Sequence, residues 1–276
     1  MAAACVAFAA MGAFVKALGL RIPYEEAVFF RSLLGLPLLA GLLVRRRVSL
    51  RPRRPSLMVL RSFYGLSAML CTFYALQRGK LAEVTVVSLT QPILVAVLAR
   101  LWLKERTAKS AALAMLVGGV GVILVAKPSA QLVSPAVLAA LLATLLSALA
   151  HITVRRLSSS DSPELIVTFF SLAGVLVGGL LALPRFVRPS PLDLGLLTGA
   201  GLSATLGQIL MTTAYAREEA PVVATVGSVQ LAVALVLGWA LWGELPDLLS
   251  WLGSALIVGS SLLLGMSRRA SVDQHS

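Results

Sequence analysis

The sequence predicts an all-α integral membrane protein of ten transmembrane helices, arranged as two five-helix repeats of inverted topology. Three observations predict it. The chain of 276 residues is 58% hydrophobic and only 13% charged, against about 25% charged in an average soluble domain. Its apolar residues fall in long runs without an ionisable side chain, among them Val84–Ala99, Ala111–Ala126, Gln131–Ala150 and Ala220–Gly243. Finally, the chain resembles itself at a fixed offset.

About 20 apolar residues cross a bilayer as a helix. Reading apolar runs between charge and turn clusters places the crossings at 2–20, 27–44, 57–77, 83–103, 110–126, 133–154, 164–183, 194–216, 220–242 and 248–266. The first run has no basic segment before it, so it reads as a helix rather than a signal peptide. Ten crossings put both termini on one face. Sixteen Lys and Arg fall on that face and eight on the other, which makes the termini cytoplasmic by the positive-inside rule. Most of the bias comes from Arg45, Arg46, Arg47, Arg51, Arg53 and Arg54. The same band suits anionic lipid headgroups. The net charge of +12 is spread in short bands between apolar runs, so it does not indicate nucleic-acid binding.

An ungapped shift of 139 residues pairs Glu25 with Glu164, Phe30 with Phe169, Ser32 with Ser171, Gly35 with Gly174, Arg78 with Arg217, Gln91 with Gln230 and Glu105 with Glu244. Lys16 falls opposite Arg155. The units are 1–127 and 128–267, followed by a short cytoplasmic tail, 268–276. Five crossings per unit is an odd number, so the second copy enters the membrane from the opposite side. Secondary transporters use this architecture for alternating access, and a fused pair is complete as a monomer.

The stretch Phe73-Tyr74-Ala75-Leu76, then Thr90-Gln91-Pro92-Ile93-Leu94-Val95-Ala96 and Trp102-Leu103-Lys104-Glu105-Arg106, resembles the EamA-type signature of the drug/metabolite transporter superfamily. Ala214-Tyr215-Ala216 and Leu241-Trp242-Gly243-Glu244 echo it in the second half. The compact ten-helix form is similar to amino-acid and metabolite exporters, including the YddG-type aromatic amino-acid exporters. The second half has Leu231 where the first has Pro92, so a helix break is expected in the first half alone.

Polar residues at membrane depth are the candidates for function. Gln91 and Gln230 lie mid-span and are related by the repeat. Pro92 frees a backbone carbonyl one turn back, an acceptor for substrate or a plain kink. Tyr64, Ser67, Cys71, Tyr74 and Arg78 follow helical spacing on the third span. Thr205, Gln208, Thr212 and Tyr215 do so on the eighth, and Thr144, Ser147, His151 and Arg155 on the sixth. Such faces form either a cavity wall or a helix–helix seam. The substrate-binding candidates are therefore Gln91, Gln230, Tyr64, Tyr74, Ser67, His151, Gln208, Thr212, Tyr215 and Pro92. Near the ends, Lys16 with Glu25 and Arg155 with Glu164 are candidate gate pairs; lipid-headgroup contact is the plainer reading of the same charges. Gly195, Gly199, Ser203 and Gly207, with Gly174 and Gly178, read as close helix packing.

No G-x-S-x-G, H-E-x-x-H or phosphate-binding G-x-x-x-x-G-K motif is present, so no enzyme, cofactor, metal or ATP hydrolysis is expected. Cys5 and Cys71 sit in apolar runs as ordinary thiols. No Asp or Glu occupies the middle of a span, which favours facilitated export or proton coupling through His151. The pocket inventory is aromatic, amide and hydroxyl, without a deep fixed charge. It suits amino acids, aromatic or neutral; the alternatives are another small metabolite or drug-like solute such as a nucleoside, purine or organic cation, or a channel or scaffold. The bacterial inner membrane is the expected location.

Overall fold

A computed structural model describes residues 1–18, 21–78, 91–103, 109–126, 135–243, 248–249, 251–253 and 255–260. Its helices are α1 (Ala2–Leu18), α2 (Tyr24–Arg45), α3 (Pro55–Arg78), α4 (Gln91–Leu98), α5 (Lys109–Ala126), α6 (Pro135–Leu157), α7 (Pro163–Ala182), α8 (Pro191–Arg217), α9 (Ala220–Gly227) and α10 (Val229–Trp242). A π-helical turn, Ala99–Leu103, prolongs α4, and a 3₁₀ turn, Leu183–Arg185, prolongs α7. No strand occurs among the described residues. Glu105, Glu244, the 127/128 boundary between the expected repeats and the tail 268–276 lie outside them.

Five helical segments are long and apolar enough to cross a membrane: Tyr24–Arg45, Pro135–Leu157, Pro163–Arg185, Pro191–Arg217 and Ala220–Trp242. Shorter apolar helices include Ala2–Leu18 and Gln91–Leu103. With 24 residues α3 is long enough, yet Arg61, Ser62, Tyr64, Ser67 and Thr72 make it more polar. The outside of the bundle is its oily side. Leu172, Leu176, Leu180 and Leu183 form an exposed stripe along α7 and its extension, while Ser171, Gly174 and Gly178 are turned inward. A water-soluble bundle shows the reverse.

Local chemistry explains the helix starts. Ser162 accepts from Leu165 N ahead of Pro163, with Glu164 in the first turn. Ser190 and Asp193 form a reciprocal capping box around Pro191. Proline at the first position gives up a donor that has no helical partner there, and a carboxylate faces the positive end of the helix dipole.

The main packing pairs are α3 with α6, α2 with α7, and α1 with α8, followed by α2 with α8, α1 with α10, and α4 with α6. Glycines set the closest approaches. A Cβ at Gly178 would lie 2.9 Å from Phe29 N, and one at Gly174 would meet Ser32 Oγ, so α2 and α7 run antiparallel with backbones nearly touching. Gly199 and Gly207 of α8 receive the rings of Phe14 and Phe8 of α1, again antiparallel. Gly35 faces Thr205 while Gly201 faces the Arg31 carbonyl, which makes α2 and α8 parallel. Gly195 has nothing within 4 Å of its added Cβ and stands apart from this ladder.

One sequence expectation is corrected here. The ninth span is itself interrupted: α9 ends at Gly227, and Ser228 N bonds the Thr225 carbonyl before α10 begins. Gly227 weakens the helix at this point. The thiol of Cys5, on α1, donates to the exposed carbonyls of Val226 (3.5 Å) and Gly227 (3.6 Å). Cys5 is therefore more than an inert thiol. Pro92 lies in α4; the carbonyl one turn back falls outside the described residues.

Candidate functional site

The bundle interior holds a connected polar cluster built from five helices. Gln91 Nε2, at the start of α4, donates to Ser147 Oγ at 3.0 Å and meets His151 Nδ1 at 2.8 Å, both on α6. An amide NH₂ only donates, so Nδ1 accepts and the imidazole proton sits on Nε2. The His151 ring lies 5.0 Å from the ring of Tyr215 on α8. Tyr215 and Thr212 are fully buried, and neither hydroxyl has a partner among the described residues. One and two turns earlier on α8, Gln208 and Thr205 continue the same face.

Arg61 joins this cluster and corrects the expectation of a pocket without deep charge. It is 3% exposed and sits about 9 Å along α3 from Pro55 at 1.5 Å per residue. Its Nη2 donates to Gln208 Oε1 at 3.2 Å. Its guanidinium stacks 4.4 Å from the Phe170 ring of α7. The slot exists because position 65 is glycine: a Cβ there would fall 2.0 Å from Arg61 Nη1 and 2.9 Å from Phe170 Cε2. Nε and Nη1 of Arg61 have no hydrogen-bond partner among the described residues. Arg31 of α2 lines the same small cavity as Gln208 and Phe170, and its Nη1 donates to the weak acceptor Met69 Sδ. A small cavity of about 10 Å³ is lined by Arg31, Phe170, Thr205 and Gln208, among others.

Arg61 counts among the sixteen basic residues assigned to the face of the termini, and Arg31 among the eight on the other. The missed signal was spacing, because Arg61 precedes Tyr64 by three and so starts the stripe through Ser67, Cys71 and Tyr74. Tyr64, Ser67 and Tyr74 are half-buried on α3, and Gln230 is half-buried in the first turn of α10. Gln91, His151, Gln208 and Tyr215 come together. Thr212 shares their helix face.

The end charges make several contacts that bear on the candidate gate pairs. Glu164, 2% exposed, takes Arg46 Nη1 at 2.5 Å. Arg155 Nη1 instead donates to the carbonyls of Tyr215 (2.8 Å) and Ala216 (3.3 Å). Lys16 Nζ stands 4.6 Å over the Trp242 ring. Glu25 is half-buried, whereas its neighbour Glu26 is fully buried and accepts from Val187 N at 2.9 Å. The α2–α7 pair is thus tied at both ends, by Glu164 to Arg46 and by Glu26 to Val187. A parallel arrangement ties the loops to helix starts. Arg21 reaches Asp193 at 3.2 Å, and Arg53 N donates to Asp161 at 2.8 Å. Beside the Arg46–Glu164 end opens a cavity of about 450 Å³ bordered by Arg54, Trp102, Arg155 and Arg156.

Comparison with known proteins assigns this architecture. The model of the EamA-like transporter family matches twice, over residues 1–127 and 134–266. The chain belongs to the EamA-like transporter family. It is 30% identical over 264 residues to the pseudopaline exporter CntI of Pseudomonas aeruginosa, covering 95% of this chain and 93% of the relative. It is 27% identical over 284 residues to a riboflavin transporter of Brucella anthropi, covering 98% and 100%. An S-adenosylmethionine uptake transporter of Rickettsia conorii is 24% identical over 260 residues, covering 94% and 88%. A solved crystal structure superposes with a TM-score of 0.84 at 18% identity, covering 97% of this chain and 96% of that one. EamA-like family members such as this chain are small-molecule transporters of the drug/metabolite type, integral to the membrane, and not enzymes.

Proposed function

We propose that this chain exports small metabolites by alternating access, with the substrate bound between two inverted five-helix units of 1–127 and 128–267. The observation that carries the proposal is the interior cluster itself, with Arg61 and Tyr215 buried and the others half-buried. Arg31, Arg61 and Gln91 come from the first unit, and Ser147, His151, Gln208 and Tyr215 from the second. An exterior of exposed leucine surrounds them.

Helix directions and pairings support the inversion. Under the 139-residue shift α2 corresponds to α7, and these two run antiparallel. The same shift turns the α3–α6 pair into α8–α1 and the α2–α8 pair into α7–α3, and all of these pairs pack. The family model matching twice, at nearly the same boundaries, adds to this. Ten crossings then follow, with the termini and the Arg45–Arg54 loop cytoplasmic and the bacterial inner membrane as the site of action. Removing the half-buried Arg31 and the buried Arg61 from the flanking charges leaves that orientation unchanged.

The hydrogen-bonding groups and the aromatic faces of Tyr215 and Phe170 fit a solute with a polar head and a flat or apolar body. Amino acids have this form. The relatives named for pseudopaline, riboflavin and S-adenosylmethionine indicate how wide the cargo range of the architecture is. Proteoliposomes holding the purified chain should exchange at least one member of a panel of amino acids, riboflavin and S-adenosylmethionine with saturable kinetics. A flux that rises linearly with concentration throughout would contradict a carrier.

The ties at the two ends of the α2–α7 pair are proposed gates, one at each face. Glu164→Gln removes the charge that holds Arg46 and keeps the shape. Arg46 is 62% exposed, so water already weakens the pair. The exchange rate is expected to change by up to about fivefold, the factor that about 1 kcal/mol makes. An unchanged rate in Glu164→Gln would remove Glu164 from gating. Because Nδ1 of His151 accepts from Gln91, a second proton on that ring would face a donor. His151 therefore acts as a hydrogen-bonding residue, and counterflow should not require a pH gradient.

A further inference from the structure

The central cluster contains two cations and, among the described residues, no carboxylate that pairs with either. Removing a guanidinium from water is expensive, and a counter-ion or a full set of acceptors normally offsets it. Among the described residues Arg61 has Gln208 as an acceptor, while its Nε and Nη1 face none. Arg31, which would be the natural site for an anion between the two helices, adds a second positive charge instead of neutralising the first. In membrane spans an ionisable group kept at such cost marks the path of a substrate or ion.

The repeat argues against a purely structural role. A cation required by the five-helix unit would recur in both copies. At an offset of 139 the partner of Arg61 is Ala200, and the partner of Arg31 is Phe170. The charges are therefore an addition to the shared scaffold, confined to one half. Gly65 and Phe170 cradle the guanidinium from two sides, which fixes its plane; it is 3% exposed in this conformation, so a planar, two-pronged acceptor reaches it as the bundle opens in the proposed alternating access. A second feature lies on the proposed cytoplasmic side. The cavity of about 450 Å³ there is bordered by Arg54, Arg155 and Arg156, and a positively lined cleft concentrates anions before they bind.

We propose that the transported solute is an organic anion whose carboxylate docks on Arg61, with Arg31 supplying the second charge and Gln208 positioning the guanidinium. This rests on the central cluster being the transport site. Arg and carboxylate match in geometry as well as charge, since the guanidinium offers parallel N–H donors to two oxygens. His151, Gln91 and the Tyr215 ring then meet the remainder of the solute. An amino acid satisfies this through its carboxylate. A neutral or cationic solute without an anionic group does not.

The test uses the full chain purified in detergent, with thermal stability read at constant chloride. Probes are matched pairs: benzoate with benzamide, succinate with succinamide, and N-acetylphenylalanine with its amide. At least one carboxylate should raise the melting temperature while its amide does not. Arg61→Gln should weaken that response about tenfold or more, the range for a hydrogen-bonded charge. Arg61→Lys, which keeps the charge, should retain part of it and guards against misfolding of the Gln variant. The inference falls if amides stabilise as well as carboxylates, if Arg61→Gln responds like the parent chain, or if chloride titration alone reproduces the Arg61-dependent shift. Counterflow separates the two levels of the argument. Saturable exchange of a solute that carboxylates neither inhibit nor resemble would leave the transport reading standing and overturn the anion.

Discussion

A Gly65→Ala chain is expected to fold normally and to lose affinity for its substrate by about tenfold or more. The added methyl occupies the space now held by Arg61 Nη1, 2.0 Å from the new Cβ. The atom in the way is the far end of a flexible side chain, so the helix stays where it is and the guanidinium moves. Phe170 Cε2, at 2.9 Å, must also tilt. The stability cost should therefore be small, and alanine is the better helix former. The loss appears where Arg61 acts, as a raised half-saturation constant in counterflow with little change in melting temperature. A Gly65→Ala protein that transports like its parent would show that the position of Arg61 over Phe170 is unimportant.

The opposite pattern is expected at Gly178. Here the neighbour of an added Cβ is backbone: Phe29 N at 2.9 Å and Phe29 Cα at 3.1 Å, with Val28 Cγ1 also at 3.1 Å. Nothing in that set can rotate away. A Gly178→Leu chain must push α2 off α7 along a seam that also includes Gly174, and it must stretch the ties of Glu164 to Arg46 and Glu26 to Val187. Overpacking of this kind costs about 3 kcal/mol. That corresponds to a fall of roughly 10 °C in melting temperature for a chain of this size. A melting temperature within a degree or two of the parent would mean that the seam is looser than its geometry indicates.

Much of this was legible in the residues because the bilayer imposes a simple code. Long uncharged runs and the basic bands between them are properties of local sequence, and they gave the helical membrane class; the 139-residue echo underlies the proposed relation between halves. Polar faces at helical spacing led to Gln91, His151, Gln208 and Tyr215. What stayed hidden depended on contacts between distant segments. Glu164 finds Arg46 across 118 positions, and no spacing rule links them. Arg61 was hidden by its surroundings: seven positions beyond Arg54, it belonged equally to a basic loop and to the face of Tyr64. Its helix crosses the bundle interior, so the charge is buried. The break at Ser228 was hidden because sequence attention rested on Pro92, while the weak point was Gly227, whose freed carbonyls are met by a thiol from the other end of the chain.

The inverted arrangement itself is tested most directly by asking which side of the membrane two equivalent loops occupy. The loop between α2 and α3 and the loop between α7 and α8 correspond under the repeat. A chain carrying Cys5→Ala and Cys71→Ser, with a single new cysteine at Ser49 or at Arg188, can be exposed to a membrane-impermeant maleimide in intact cells. Cysteine at 188 should label from outside, and cysteine at 49 should label only after the membrane is opened. Labelling of both positions from the same side would contradict the inversion and the two-sided access built on it.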